Sequence, residues 1–371
     1  MIKRIHQIAP HIGMADAVGN QIRECQRLLH AWGYESKVYS LTWETGLEGQ
    51  VHSLETYEPG QPDTAVLLHY AVCSPANDFA FDLPDPLILY YHNVTPPEFY
   101  YRYEPAFADC LARGRGGLAR FAKRGPAIAA SPHNEAELRA RGFEVLAQAP
   151  YVLWLDPLKT GTTTPKAQEL RQRFGDEHLT TWVYVGRMAP NKRIEDIITA
   201  FHVYRRDYNQ RSRLLLVGND QGLPGYGRLL HSLVKELELG EAVTFTGAYG
   251  PSHGLGVFYE MADLYISLSE HEGFCVPLIE AMSFGVPVLA FASTNVPGTL
   301  GRSGVLLRDK RPSVVAAAAH EILADPELRR SRVARQRLRA ADFAPELVRE
   351  QFHAAVRQIE AHVAQAGRGA A

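Results

Sequence analysis

Short apolar runs alternate with amphipathic stretches along the first half of the chain. The runs 64–70 and 87–91 have the continuous apolar character of buried parallel strands. Further strands are predicted at 5–8, which is a weak one, and at 37–41 and 127–131. The stretches between them place apolar residues at helical spacing, as from Ile22 to Leu29. Residues 42–63 are polar and predict an irregular segment. Strands and helices in alternation predict an α/β fold that is built on a parallel sheet.

The same alternation returns in the second half, after a polar stretch. Residues 156–165 are mostly polar, with four Thr, two Pro and one Gly, and this composition predicts a linker between two domains. Further strands are predicted at 180–186, 214–218, 242–247, 262–268 and 286–291. The pattern therefore predicts two Rossmann-like, doubly wound domains, 1–155 and 156–345, followed by an amphipathic helix over 346–371.

Length and composition narrow the class of protein. A chain of 371 residues is comfortable for two domains, and its formal net charge of −2 gives no general attraction to nucleic acid. No run reaches the roughly 20 apolar residues of a membrane span, and the first residues lack the apolar core of a signal peptide. Cys25, Cys73, Cys110 and Cys275 form no CxxC pair and predict no disulfide framework. A reducing cytoplasm is therefore the expected compartment.

An acidic glycine turn follows the predicted strand at 262–268. Pro277 suits the first turn of a short helix, which Gly285 ends. Helix N-terminal amides that point from such a turn favour an anion. Glu272 and Glu280 lie in the same stretch, and carboxylates beside an anion site are suited to binding hydroxyls. A ligand with both phosphate and hydroxyl groups, such as a nucleotide-sugar, fits both features. The alternative is a solvated acidic turn before an ordinary core helix.

This stretch resembles the E-x7-E signature of the retaining, GT-B-fold glycosyltransferases of family 4. The two glutamates are Glu272 and Glu280, within Glu-Gly-Phe-Cys-Val-Pro-Leu-Ile-Glu, and the similarity continues through residue 288. A second element of that family, Gly-Arg-x4-Lys, is matched upstream by Gly186, Arg187 and Lys192. The resemblance implies two Rossmann-like domains that face a cleft, with the final helix packed back on the first domain.

The resemblance also implies a role for each matched residue. Arg187 and Lys192 would neutralise the donor diphosphate, Glu280 would bind ribose, and Glu272 would bind the transferred sugar. The implied catalytic group is His92, Arg187, Lys192 and Glu272, with His92 facing the donor sugar. The implied donor-binding group is Gly186, Asn219, Gly273, Phe274, Cys275, Val276 and Glu280. Retention would proceed by front-face attack, in which the leaving phosphate oxygen helps to take the acceptor proton.

Loops of the first domain are the candidates for the acceptor side. Ligands of open α/β sheets bind beyond the carboxyl ends of strands, where His69, His92 and Asn93 are predicted. In similar glycosyltransferases the first glycine-containing loop lies over the cleft. The residues that correspond to it are Asp16, Ala17, Val18 and Gly19. A tight turn made by Gly13 and Gly19, without contact to a ligand, is the other interpretation.

Aromatic and basic residues cluster between positions 100 and 124. Four aromatic residues precede five cations there, namely Tyr100, Tyr101, Tyr103 and Phe107, then Arg113, Arg115, Arg120, Lys123 and Arg124. One interpretation is a solvated helix face. The other is a surface for anionic lipid or a lipid-linked acceptor, with peripheral contact at the inner face of a membrane.

The sequence contains no DxD motif of the kind that holds a divalent ion on a donor diphosphate. Metal-independent transfer is therefore expected, with no metal site and no cofactor. The predicted function is transfer of a sugar from a nucleotide-sugar to a glycan, lipid-linked or small-molecule acceptor. A nucleotide-sugar epimerase or a phosphorylase of the same fold is the first alternative, and a non-catalytic two-domain sugar-binding protein is the second.

Overall fold

Two parallel sheets organise the chain in a computed structural model, which describes residues 2–14, 16–153, 155–176 and 178–369, with side chains through residue 365. The chain divides into two compact units. Unit 1 comprises Met1–Glu98, Ala106–Val152 and Pro345–Ala371, and unit 2 comprises Phe99–Pro105 and Leu153–Ala344. Both sheets are parallel throughout, as the apolar runs predict, and the α/β fold class is confirmed.

Unit 1 contains seven strands in the order β3-β2-β1-β4-β5-β6-β7. The elements of its first two stretches are β1 (Arg4–Ile12), α1 (Ala17–Ala31), β2 (Val38–Trp43), β3 (Val51–Ser53), β4 (Thr64–Tyr70), α2 (Pro75–Asp82), β5 (Leu87–Tyr91), α3 (Pro105–Gly117), β6 (Ala127–Ala129), α4 (Pro132–Ala140) and β7 (Val145–Gln148). Every residue of β4 and β5 is buried, which explains their unbroken apolar sequences. Helix α4 begins where the Ser131 side chain accepts a hydrogen bond from the Asn134 amide.

Unit 2 contains six strands in the order β10-β9-β8-β11-β12-β13. Its elements are α5 (Leu155–Thr160), α6 (Pro165–Phe174), β8 (Thr180–Val185), α7 (Ile194–Asp207), β9 (Ser212–Val217), α8 (Pro224–Glu236), β10 (Val243–Gly247), α9 (Leu255–Glu260), β11 (Leu264–Ser267), α10 (Val276–Ser283), β12 (Val288–Phe291), α11 (Val296–Leu300), β13 (Val305–Leu307), α12 (Pro312–Ala324) and α13 (Pro326–Ala341). Gly285 has a φ of 72° after α10, as a helix-ending glycine requires.

The last helix, α14 (Pro345–Gly369), belongs to unit 1. Trp32, just after α1, stacks on His353 with ring centroids 4.3 Å apart and also packs against Phe352. Arg349 of this helix lies 3.4 Å from a carboxylate oxygen of Glu24 in α1. Helix α14 therefore packs on α1, and it also contacts β7, the edge strand of the first sheet. Among the described residues, none of the helices has both the length and the apolar character that crossing a bilayer demands.

Two local predictions are wrong, and a third segment is more ordered than its polar composition indicates. The predicted linker at 156–165 contains α5, in which Leu158 is buried, and a 3-10 turn over Gly161–Thr163. Its role as a linker stays a prediction. A Cβ at Gly161 would lie 2.3 Å from the carbonyl oxygen of Pro251. The segment 42–63 contains β3, a short edge strand of the first sheet.

The cysteines supply the other wrong prediction. Cys73 and Cys110 form a disulfide that joins the loop after β4 to α3, whereas no disulfide was predicted. Their positions are 37 residues apart in sequence, so only the fold brings them together. The other two cysteines, Cys25 and Cys275, are free and buried.

Candidate functional site

The strand order of unit 2 places its two sequence motifs side by side. From β8 the chain moves to β9 and β10, and it then returns to β11 on the other side of β8. The space between β8 and β11 is therefore a topological switch point, where ligands of open α/β sheets bind beyond the carboxyl ends of the strands. The loop after β8 carries Arg187 and Lys192, and the loop after β11 carries Glu272.

Lys192 and Glu272 form an ion pair at this switch point. The Lys192 Nζ atom donates a hydrogen bond to Glu272 Oε2 over 2.6 Å. The Lys192 side chain is 18% exposed and that of Glu272 is 7% exposed, so water screens the pair only weakly. The Thr294 hydroxyl accepts from the Glu272 amide at 2.8 Å and donates to the Glu272 carbonyl at 2.9 Å. The backbone of the acidic turn is thereby tied to the loop after β12.

Asn191 holds the two loops together. Its Nδ2 atom donates to the His271 carbonyl at 3.0 Å, and its carbonyl accepts from the Glu270 amide at 2.8 Å. Gly186 begins the β8 loop with a φ of 147°, and a Cβ there would lie 2.9 Å from the Tyr184 hydroxyl. A glycine is therefore required at the position where the chain leaves β8.

The entry to α10 is unusual because a cysteine occupies a left-handed backbone conformation. Cys275 has a φ of 71° and its side chain does not cap the helix. Burial raises the pKa of the Cys275 thiol, as does the neighbouring Glu272, with which it forms a side-chain hydrogen bond. The thiol is therefore protonated and donates to that carboxylate. Val276 is the first residue of α10, and Gly273 is half-buried in the turn before it.

Glu280 lies within α10, and the hydroxyl of Tyr259 donates to its Oε2 atom at 2.7 Å. Burial of the carboxyl raises the pKa of Glu280 to about 7. Burial is the main cause of the raised pKa of the Tyr265 hydroxyl, and Cys275, Tyr184, Glu272 and Glu280 add to it. The structure thus pairs Lys192 with Glu272 and gives Glu280 a separate partner in Tyr259.

Two predicted donor residues serve local structure. Asn219 is exposed, and its Oδ1 accepts from the Gln221 amide at 2.8 Å within its own turn. The Phe274 side chain is buried and meets Phe343 edge-on, with ring centroids 5.8 Å apart. Only the backbone of Phe274 is therefore suited to binding an anion, whereas the ring belongs to the core.

The switch point of unit 1 lies between β1 and β4. Asp16 caps α1 by accepting from the Gly19 amide at 2.7 Å. A Cβ at Gly19 would lie 2.3 Å from the Gly13 carbonyl oxygen, so these two glycines do make a tight turn. Ala17 is exposed at the start of α1, and Val18 packs against the core. A ligand-binding role for this loop stays a prediction.

His69 and His92 belong to a buried chain of hydrogen bonds inside unit 1. The Nε2 atom of His69 lies 2.9 Å from Gln7 Oε1, and its Nδ1 atom lies 2.8 Å from His92 Nε2. The Nδ1 atom of His92 lies 2.8 Å from the Tyr151 hydroxyl. Burial lowers the pKa of His92 to about 3 and also lowers that of His69, so both rings are neutral. Both ring nitrogens of His92 therefore have protein partners, and the predicted contact with a sugar would require one of them to be released.

Asn93 and most of the nearby cations have internal partners. Asn93 has a φ of 81° after β5, and its Nδ2 atom donates to Asn134 and Glu137. Glu137 also pairs with Arg115 at 2.6 Å. The remaining internal partners are Asp78 for Arg120, and the carbonyls of Phe81 and Leu83 for Arg124. Three of the five cations that the sequence places between positions 113 and 124 thus have partners within unit 1.

Several residues around the Lys192–Glu272 pair, Glu280 and the His69–His92 pair were not predicted, namely Gln7, Tyr151, Asn191, Tyr259 and Thr294. Asn191 lies between Arg187 and Lys192, and its position inside the matched motif was the one available signal. The others are distant in sequence from the residues that they contact, and their residue types are common in protein cores. The fold alone identifies them.

Solved structures with the same arrangement of strands and helices identify the fold. A sucrose-phosphate synthase from Thermosynechococcus elongatus has a TM-score of 0.75 and 21% sequence identity, over 96% of this chain and 99% of that one. Anabaena HepE in complex with UDP-glucose has a TM-score of 0.71 and 16% identity, over 95% of this chain and 99% of that one. The class of protein follows: the chain has the GT-B fold of glycosyltransferases, with two Rossmann-like units.

Sequence comparison adds the family of the second unit. Residues 166–339 match the family described as Glycosyl transferases group 1. The O-antigen chain mannosyltransferase B of Escherichia coli is 28% identical over 162 residues, which are 43% of this chain and 41% of that relative. The match therefore spans about two fifths of the length of this curated relative. The chain carries a glycosyl transferases group 1 domain, and the resemblance stated from its motifs is confirmed at this level.

Proposed function

We propose that the protein is a glycosyltransferase that moves a sugar from a nucleoside-diphosphate sugar to an acceptor. The observation that carries the proposal is the weakly hydrated Lys192–Glu272 pair at the switch point of unit 2. A cation beside a carboxylate offers one group for phosphate and one for sugar hydroxyls. The comparison with HepE, which was solved with UDP-glucose, supports a donor of this chemical class.

Arg187 and Lys192 are the proposed partners of the diphosphate. Charge develops on the leaving phosphate as the glycosidic bond to it breaks, and fixed cations stabilise that charge. The backbone amides of Gly273 and Phe274, with those of the first turn of α10, add hydrogen-bond donors on the same side. Diphosphate binding would draw Lys192 away from Glu272 and release the carboxylate to accept from sugar hydroxyls.

Glu280 is the proposed ribose partner. With a pKa of about 7, its carboxyl is partly protonated near neutral pH, and in either state it has an oxygen that accepts from a hydroxyl. The Tyr259 hydroxyl fixes the orientation of Oε2 and leaves the other oxygen for the ligand. Asn219 and Cys275 stay in the proposed donor-binding group. Asn219 lies in the loop that follows β9, and the Cys275 thiol forms a hydrogen bond with Glu272.

The stereochemistry and the metal requirement belong to the same proposal. Retention of configuration, by front-face attack, is supported by the E-x7-E signature. Metal-independent transfer is supported by two cations at the predicted diphosphate position and by the lack of a DxD motif in the sequence. No cofactor is proposed. Nuclear magnetic resonance of the product, recorded as it forms, gives its anomeric configuration. Retention predicts the same configuration as in the donor sugar. Activity that EDTA abolishes and magnesium or manganese restores would refute the metal-free mechanism.

The acceptor is assigned to unit 1 and is proposed to be a glycan, a lipid-linked sugar or a small molecule. The candidate residues are those of the loop from Asp16 to Gly19, with His69, His92 and Asn93. Peripheral contact with a membrane is the weaker part of this proposal. Arg115, Arg120 and Arg124 already have partners within the chain, so few of the cations there are left to bind anionic lipid. The cytoplasm stays the proposed compartment.

The test begins with donor binding and ends with turnover. Wild-type protein is screened by thermal shift against UDP- and GDP-sugars, and each hit is then incubated with candidate acceptors. The expected result is free nucleoside diphosphate that accumulates only when an acceptor is present. Interconversion of sugars without an acceptor would identify an epimerase instead, and sugar binding without any nucleotide binding would identify a non-catalytic protein.

A further inference from the structure

A short aromatic segment of the first half of the chain is part of unit 2. Residues Phe99–Pro105 belong to unit 2, although the chain on both sides of them belongs to unit 1. Within this inserted segment Tyr100 is 3% exposed, whereas Tyr101 is 48% exposed. The ring of Tyr103 meets that of Tyr226 in α8 edge-on, with centroids 5.2 Å apart. Aromatic packing of this kind attaches the segment to unit 2.

The hydroxyl of Tyr100 lies between the arginine and the asparagine of the β8 loop. Arg187 Nη2 donates to it at 3.4 Å, and the hydroxyl donates to Asn191 Oδ1 at 3.3 Å. The other side of the same amide holds the carbonyl of His271, next to Glu272. One buried hydroxyl therefore connects the Arg187 guanidinium to the contact that joins the two motif-bearing loops.

We propose that Tyr100 is a positioning residue that orients Arg187 for the diphosphate, an inference that rests on the proposed function. Arg187 is exposed, and a free arginine side chain loses much rotational freedom when it binds an anion. A hydrogen bond that already restrains the guanidinium reduces this loss, which is how preorganisation raises affinity. The Tyr184 hydroxyl fixes the backbone of the same residue by donating to the Arg187 carbonyl at 3.1 Å. The two tyrosines thus hold Arg187 at both of its ends.

The variant Tyr100→Phe removes the hydroxyl and retains the buried ring. Calorimetry with UDP or GDP, whichever binds the wild type, should show a Kd that rises about fivefold, because both hydrogen bonds are long. Binding of the corresponding nucleoside, which has no phosphate, should be unchanged. Tyr101→Phe is the matched control, since it makes the same chemical change at the exposed neighbour, and its Kd should equal that of the wild type.

A double-mutant cycle with Arg187→Ala separates positioning from a general structural role. If Tyr100 acts through Arg187, adding Tyr100→Phe to Arg187→Ala should cause no further loss of nucleoside diphosphate affinity. Independent losses that add in the double variant would overturn the inference, as would an unchanged Kd for Tyr100→Phe alone. A wild type that binds neither nucleotide is a different outcome, because it refutes the proposed function and this inference with it.

Discussion

His69 Nδ1 and His92 Nε2 lie 2.8 Å apart, with the two imidazole planes within 7° of each other. One proton is shared across this contact, so the tautomer of one ring sets that of the other. Among the described residues, Gln7 Nε2 has no hydrogen-bond partner, and Gln7 Oε1 faces His69. In this orientation each ring donates through Nε2, and the Tyr151 hydroxyl donates to His92 Nδ1. Rotation of the Gln7 amide by a half-turn would reverse every bond of the chain.

The first prediction concerns the charge of these two rings. Because burial lowers the pKa of both, His69 and His92 should still be neutral at pH 5. The unfolded chain binds these protons below about pH 6.5 and the folded protein does not, so the free energy of unfolding should fall as pH falls from 6.5 toward 3. Histidine-selective ¹⁵N spectra at pH 5 test this. The variant His69→Gln should lose one of the two neutral signals, and His92→Gln should lose the other. An imidazolium signal from either ring at pH 5 would contradict the prediction.

The second prediction separates the two roles of Lys192. Lys192→Ala should lower transfer about 10²-fold or more, the scale of losing one charge-stabilising group. It should also lower the free energy of unfolding, because Glu272 would keep a buried charge without its partner. Adding Glu272→Gln should restore much of the stability, measured by urea unfolding, and none of the activity. Wild-type turnover in Lys192→Ala would remove the lysine from the proposed mechanism.

The third prediction distinguishes the signature glutamates. Glu280→Gln should weaken free nucleoside diphosphate and intact donor alike, because both contain ribose. Glu272→Gln should weaken only the donor, because the free nucleotide has no sugar to bind. Calorimetry with each ligand on each variant gives the comparison. Equal losses for both ligands in both variants would refute the division of roles.

The fourth prediction is a pH dependence of stability that arises from Glu280. Its pKa is about 7 in the folded protein, against a usual value of 4.5, so the folded state holds this proton more tightly. The free energy of unfolding should therefore fall as pH rises from about 4.5 to about 7, by at most about 1.4 kcal/mol per pH unit. Partial exposure of the residue reduces this value. Chemical unfolding across that range should be flatter for Glu280→Gln and unchanged for Glu241→Gln, an exposed control.

The fifth prediction is a thiol count. When the protein is denatured in the presence of an alkylating reagent, only the thiols of Cys25 and Cys275 should react, because Cys73 and Cys110 are joined in a disulfide. Mass spectrometry after differential alkylation measures them. Four free thiols would support the reducing compartment that was expected from the sequence.

Some features of the fold followed directly from the sequence. Strands β4 and β5 were predicted at their observed bounds, because both faces of each strand are buried and every position is constrained. The proximity of Lys192 and Glu272 was implied by the paired motifs, since a parallel sheet places successive loops at one edge. Their roles toward a ligand stay predictions.

Other features depend on packing that a linear pattern does not encode. Tyr100 was grouped with Tyr101 as one aromatic cluster, yet one ring is buried in unit 2 and the next is exposed. Helix α5 lies in the segment that was predicted as a linker from its polar residues, and the burial of Leu158 is what a linear pattern does not show. In both cases a segment distant in sequence supplies the contact surface.

Helix α14 has a consequence for the order in which the protein folds during synthesis. Unit 2 is complete once residue 344 has left the ribosome, whereas the apolar surfaces beside Trp32 and β7 are covered only by residues made afterwards. The unit that is translated first is therefore finished last. Until α14 is made, nascent unit 1 exposes an apolar surface of the kind that chaperones bind. The speed of translation through the second half of the chain sets how long that surface stays exposed.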